Sequence, residues 1–180
     1  ADLAVLGDLG ALAEDEFAAI SAATTDELTG LFNRRGFNQL VRFTLSVARR
    51  RAEPLTLGWL DLDRFKEIND RYGHEEGDKA LKVMAQRMRS AFREADMLVR
   101  FGGDEFAVLF ADTDEQGAWI AMQYLAEQVE SYNARKLHPW SLHFSWGLSE
   151  FDHNGNDLQQ WLKDADEKMY AMKQQRQCAR

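Results

Sequence analysis

Met97-Leu-Val-Arg-Phe-Gly-Gly-Asp-Glu-Phe-Ala-Val-Leu-Phe-Ala111 consists of two short apolar runs around Gly102-Gly103-Asp104. A glycine pair supplies the positive φ that a tight turn demands, so the stretch reads as a β-hairpin. Its charges are out of place for a plain turn. Such a turn favours Asn-Gly or Asp-Gly with the glycine last. Here the order is inverted, and Asp104 and Glu105 open the second strand. Acids on a hairpin rim repel each other without gaining burial. That makes them candidates for chemistry.

Upstream of the hairpin, Thr24–Asn33 (TTDELTGLFN) has turn chemistry, with Thr25 or Asp26 able to cap a short turn. A helix is predicted from about Arg34 to Arg51, with Phe37, Leu40, Val41, Leu45 and Ala48 on one side. Pro54 closes the connection, and Leu55–Leu62 (LTLGWLDL) reads as a largely buried strand. Arg64–Tyr72 is a short helix, and Gly73 and Gly77 mark a turn. Asp78 would cap a helix to about Phe92 that turns Ala80, Leu81, Met84 and Met88 inward. Downstream, Thr113–Leu137 is a long helix with Ile120, Tyr124, Leu125 and Val129 inward. Trp140–Leu148 is a strand, and Asp157–Gln175 a final helix. A central hairpin with crossover helices implies an α/β (α+β) fold: a mixed central sheet flanked by helices.

Residues 1–23 differ from the rest. They contain acids and no base, and Leu3, Leu6, Leu9, Leu12 and Phe17 could share one face of a helix, with Gly7 and Gly10 weakening its first half. Two readings stay open: a frayed extension, or the end of a helix linking an absent upstream domain to a domain over 24–180. The start at Ala fits an excised piece of a larger protein.

The 180 residues suffice for one core without staples, and one cysteine, Cys178, rules out an internal disulfide. No apolar run approaches the roughly 20 residues of a membrane span, and no leader precedes a cleavage site. A cytoplasmic domain without membrane contact is therefore expected, although a full-length protein could be anchored through an upstream segment. The net charge of -8 argues against DNA as a partner. It does not exclude a small nucleotide bridged by metal.

The second acid site is Asp61, at the end of a buried strand, where α/β folds place ligands. A lone acid there is often only a helix cap, a part Asp63 could also play. If the strands are neighbours, Asp61 and Asp104 converge, and converging carboxylates ask for a hard divalent cation. Such a cation completes its shell with water and nucleotide phosphates, the layout of metal-assisted phosphoryl or nucleotidyl transfer. Lys66 sits in the first turn of the following helix, a start that favours phosphate. Asn69, His74 and Asp78 follow. Asn and Asp can read a guanine edge, although taken singly each is better explained by a cap or a turn. Competing motifs are missing: Phe65 and Lys66 break an EF-hand begun by Asp61 and Asp63, there is no P-loop, G-x-G-x-x-G or H-E-x-x-H, and His138, His143 and His153 lack zinc spacing.

Together these stretches resemble the GGDEF family, the catalytic domain of bacterial diguanylate cyclases. The matching runs are Asp26–Arg34, Asp61–Asp70, Gly73–Asp78 and Arg100–Phe106, followed by Ala165-Asp166, Met169-Tyr170 and Lys173. They span about Thr24 to Gln175. The resemblance implies a nucleotidyl-cyclase, palm-like fold and condensation of two GTP into cyclic di-GMP with release of two pyrophosphates. It implies Mg²⁺, with Mn²⁺ as an alternative, on Asp61, Asp104 and the Leu62 carbonyl. Asp104 or Glu105 would assist deprotonation of the attacking hydroxyl. Asn69 and Asp78 would bind guanine, with His74 close by. Lys66, Lys173 and the backbone N–H groups of Asp63, Arg64 and Phe65 would contact phosphates. Gly102 and Gly103 would let the backbone approach the nucleotide.

Arg93 and Asp96 look like the family's inhibitory product site, R-x-x-D. An exposed helix-end ion pair is the plainer alternative for so short a pattern. Because one subunit holds one GTP, turnover would need a homodimer with opposed sites. One departure stands out: Lys173 is followed by Gln-Gln-Arg-Gln, which puts Arg176 one place early. A binding module that only senses GTP or cyclic di-GMP is the rival reading, although its usual mark is a damaged Gly-Gly-Asp-Glu-Phe run.

Overall fold

Alternation along the strands decides the layers. The computed structural model describes residues 2–155 and 157–178, with side-chain surroundings described from Ala13 onward. Ten elements follow in order: α1 (Asp2–Thr24), α2 (Arg34–Arg51), β1 (Leu55–Leu62), α3 (Phe65–Tyr72), α4 (His74–Ala91), β2 (Met97–Gly102), β3 (Glu105–Ala111), α5 (Glu115–Ala134), β4 (Phe144–Glu150) and α6 (Leu158–Cys178). The sheet order is β2-β3-β1-β4.

Leu60 and Leu62 of β1, Phe106, Val108 and Phe110 of β3, and Phe144, Trp146 and Leu148 of β4 pack with α4 and α5 in one core. Their alternates Leu55, Leu57, Trp59, Ala107 and Leu109 pack with α2 and α6 in a second. This is the period of two that a strand imposes. The two cores make a helix–sheet–helix sandwich of the expected α/β class.

All three ladders are antiparallel, and among the described residues parallel pairing is confined to the isolated bridge between Phe32 and Val99. The reason is topological. The crossover through α3 and α4 does join two strands running the same way, β1 and β2. The hairpin then folds β3 back between them, so the parallel pair are not neighbours.

Several expectations change in detail. The strand predicted to begin at Trp140 begins at Phe144, and residues before it form a loop. Gly77 is buried inside α4 rather than in a turn, and Gly73 caps that helix in place of Asp78. Asp78 lies a full turn inside. On α5 the buried stripe is Ala118, Met122, Leu125 and Val129. Ile120 and Tyr124 are exposed, as is Leu40 on α2. The helix α1 runs across Gly7 and Gly10. Phe17 is exposed, and Leu3, Leu6, Leu9 and Leu12 fall outside the described side chains. Among the described residues no helix is long and apolar enough to cross a membrane.

Candidate active site

The alternation that builds the cores also aims the acids. Asp61 continues the odd-numbered face of β1, and Glu105 continues that of β3. The two are register partners across the sheet. Both therefore face α6, which presents Lys173. Its Nζ lies 2.7 Å from Asp61 Oδ2. The neighbouring backbone is tied in as well, Leu62 N–H donating to the Asp104 carbonyl at 3.1 Å.

Burial pushes the Asp61 carboxyl up to about 6, with Lys173 opposing the rise and Asp104 adding to it. Glu105 is also raised, first by burial and then by the charges of Asp61 and Asp166. Burial alone would lower Lys173, but its hydrogen bond and attraction to Asp61 prevail and hold it above the usual lysine value. The second oxygen of Asp61, Oδ1, is buried without a hydrogen-bond partner.

An orphaned carboxylate oxygen beside a second carboxylate is a site short of positive charge, and a divalent cation fits it. The donor set is sparse. Among the described residues no group of three or more His, Cys, Asp or Glu side chains gathers as a metal cluster. Two carboxylates and a carbonyl suit a cation that keeps water and phosphate ligands better than one held in an all-protein cage.

The hairpin turn above these acids is glycine because its backbone requires it. Gly102 and Gly103 have φ of +128° and +53°, and nothing lies within 4 Å of where a Cβ would stand. The turn is both left-handed and open to a ligand. Arg100 fixes its position. The guanidinium donates to the Gly103 carbonyl at 2.9 and 3.1 Å and pairs with Asp26 Oδ1 at 2.9 Å. Burial would raise Asp26, but the Thr29 hydroxyl and N–H and then Arg100 outweigh it and hold the carboxyl low.

The other residues divide by place. Asn69, in the last turn of α3, lays its amide against α4. A methyl on Gly77 would stand 1.9 Å from Asn69 Oδ1, so Gly77 is what admits it. His74 and Asp78, four residues apart on α4, are exposed beside that contact. Lys66 is exposed in the first turn of α3. No side chain caps that helix, and Arg64 at its start has φ of +58°. Phe65 packs half-buried on the core beneath.

Asp63 corrects an expectation. Its N–H is not free for phosphate, since it donates to the His143 carbonyl at 2.7 Å. Its carboxylate accepts from Ser145 Oγ at 2.8 Å, so it does not cap α3. Arg176 lies 3.6 Å from Asp63, donates to the Phe144 carbonyl and stacks on Trp146. It braces the site from below.

Arg93 and Asp96 are not brought to this centre. They sit at the far end of the hairpin, about 20 Å away at 3.3 Å per strand residue. Asp96 is buried, its side chain 2% exposed against 59% for Arg93. It accepts from Arg93 N, Nε and Nη2 and from Ala111 N. Arg93 also donates to the Ala111 carbonyl and the Thr113 hydroxyl. The pair is closed on itself.

Sequence reasoning did not single out Arg100, Asp26, Asp166 or Ser145 for these roles. For Ser145 a signal existed: alternation places it opposite Asp61, on the face that α6 covers.

A hairpin turn open to a ligand, acids converging under it and a lysine from the last helix define a nucleotidyl-cyclase-like site. The family described as "Diguanylate cyclase, GGDEF domain" matches residues 23–178, and the chain belongs to it. Among curated relatives it is 37% identical over 158 residues to the cyclic di-GMP phosphodiesterase NbdA of Pseudomonas aeruginosa, covering 88% of this chain and 20% of the relative. It is 36% identical over 165 residues to the diguanylate cyclase TpbB of the same species, covering 90% and 38%. The chain thus spans well under half the length of these relatives. Its fold is similar to the coiled coil and GGDEF domain of DgcB from Caulobacter crescentus in complex with c-di-GMP, with a TM-score of 0.84 and 25% identity over 94% of this chain and 91% of the other. It is also similar to the diguanylate cyclase SiaD of P. aeruginosa in complex with its activator SiaC, with a TM-score of 0.78 and 30% identity over 97% and 68%.

Proposed function

We propose that this domain is a Mg²⁺-dependent diguanylate cyclase condensing two GTP into cyclic di-GMP with release of two pyrophosphates. The observation that carries the reading is the convergence of Asp61, Asp104, Glu105 and Lys173 beneath an intact, open glycine turn. Asp61, Asp104 and the Leu62 carbonyl would hold Mg²⁺ or Mn²⁺. The bound metal would neutralise phosphate charge and acidify the attacking hydroxyl. Phosphoryl transfer asks the protein mainly for positioning and charge.

The 3′-hydroxyl of one GTP attacks the α-phosphorus of the other, a P–O bond forms, and pyrophosphate leaves. The hydroxyl proton passes to Glu105 or Asp104. Glu105 is the better placed as base, because its raised pKa brings proton affinity closer to neutral pH. Lys173 and Lys66 balance the triphosphate, with the N–H groups of Arg64 and Phe65. Asn69 and Asp78 take the guanine edge, with His74 beside them. Repeating the step on the second pair of atoms closes the ring, so two subunits must face each other.

We further propose that residues 1–23 link the domain to an upstream segment, and that GTP as substrate places it in the cytoplasm. Arg93 and Asp96 form the product site in this reading. Product would enter through the exposed Arg93, which must leave Asp96 to engage it.

The test is purified protein with GTP and Mg²⁺, the product identified chromatographically. Cyclic di-GMP is expected. Asp104→Asn is expected to lower turnover at least about a thousandfold with an unchanged melting temperature. Nucleotide binding without product at any protein concentration would instead mark a silent binding module.

A further inference from the structure

The loop between α5 and β4 touches both ends of the site. At one end, the His143 carbonyl accepts the Asp63 N–H beside the metal-ligand carboxylates. At the other, Trp140 Nε1 donates to Glu76 Oε2 at 2.7 Å. Glu76 lies in the first turn of α4, between His74 and Asp78. Four residues of one loop, Trp140 to His143, therefore span from the β1–α3 turn to the turn that carries the guanine ligands.

This loop is itself held. Asn133 at the end of α5 forms a mock strand pair with Leu142, its Oδ1 accepting at 2.9 Å and its Nδ2 donating at 2.8 Å. The Trp140 ring is buried in the core and stacked flat on His138, 4.2 Å between centroids and 6° between planes. His138 shares a 2.8 Å hydrogen bond with the Tyr132 hydroxyl. Glu76 is pinned from its other oxygen by Lys79 at 2.6 Å. A cavity of about 230 Å³ lies between the loop and α3.

We infer that the α5–β4 loop sets the spacing between the phosphate and guanine ends of the site, with Trp140 and Glu76 as positioning residues. The inference rests on the reading that Asn69, His74 and Asp78 hold guanine. A surface packing role would need the ring but not the N–H. The short bond to a carboxylate goes further, because it fixes the rotation of the first turn of α4.

Trp140→Phe keeps a ring on His138 and removes the donor. It is expected to weaken GTP binding about tenfold by calorimetry in the presence of Mg²⁺, the loss of one hydrogen bond to a charged group. KM should rise in step while kcat changes less than about threefold. Affinity for inorganic tripolyphosphate should not change, since that probe has no guanine end. Glu76→Ala should behave like Trp140→Phe, and Glu76→Gln, which keeps an acceptor oxygen, should restore most of the affinity. Equal losses for GTP and tripolyphosphate, or no loss for GTP, would overturn the inference.

Amide hydrogen exchange without nucleotide decides the positioning role separately. Faster exchange at Gly77 and Asp78 in Trp140→Phe upholds it, and unchanged exchange defeats it. If the unmutated protein binds no GTP, the cyclase reading fails while this measurement still stands.

Discussion

At Asp61, burial and a neighbouring carboxylate raise the folded-state pKa to about 6 from an ordinary 3.8, despite the Lys173 partner. The folded protein therefore binds this proton more tightly than the unfolded chain does. Its contribution to stability is fully present below about pH 4 and is lost as pH rises towards 6. Melting curves of the metal-free protein and Asp61→Asn across that window should show the variant gaining on the parent as pH rises. Added Mg²⁺ should flatten the difference, because the cation replaces the proton. Lys173→Met should steepen it, since the carboxylate then loses its only ammonium partner among the described residues. The acids themselves were legible in the sequence, being out of place at a strand end and a hairpin turn. Their shared face was implicit in the alternation of LTLGWLDL and EFAVLFA. Lys173 was reached only through resemblance, since no local pattern links residues 112 positions apart.

The hairpin between β2 and β3 is the element on which the proposed chemistry hangs, and Arg100 is what orients it. The Arg100 side chain is only 13% exposed, and its guanidinium joins two otherwise separate segments, the Asp26–Thr29 turn and the Gly103 carbonyl. Arg100→Ala should cost about 2–3 kcal/mol in denaturant unfolding, the scale of a lost partly buried charge-assisted contact. Turnover should fall more than stability alone accounts for, because the turn above Asp61 is then free to drift. Helix and strand positions were legible wherever period and punctuation agreed. The bounds read for α2 and β1 match those observed. They failed where large side chains were taken as the inward face. On α5 the buried stripe includes small Ala118, while bulky Ile120 and Tyr124 point outward. Helical geometry, rather than residue size, sets the buried face. Asp78 was read as a cap because the glycines before it looked like a turn. Gly77 instead allows α3 and α4 to touch through Asn69.

At the scale of the whole molecule, one site holds half of the proposed product. Specific activity should therefore rise with protein concentration and plateau once dimers form. A flat profile from the lowest concentration would mean a preformed dimer, and the two cases separate by sedimentation. Added cyclic di-GMP should inhibit, and Arg93→Ala should relieve that inhibition while removing the guanidinium contacts to the buried Asp96. The sequence by itself determined the class of fold, the order of elements, the hairpin and the acids proposed for the site. These depend on local periodicity, turn chemistry and short motifs, which a linear reading contains. Only the tertiary structure decided that the ladders are antiparallel throughout, that Asp63 is consumed by His143 and Ser145, and that Arg93 and Asp96 close on each other. It also decided that Trp140 and His143, on one loop, reach Glu76 and Asp63. Each of these depends on which groups meet across long stretches of chain. Such meetings are settled by the packing of helices on the sheet and the cost of leaving buried polar groups unpaired, not by local sequence.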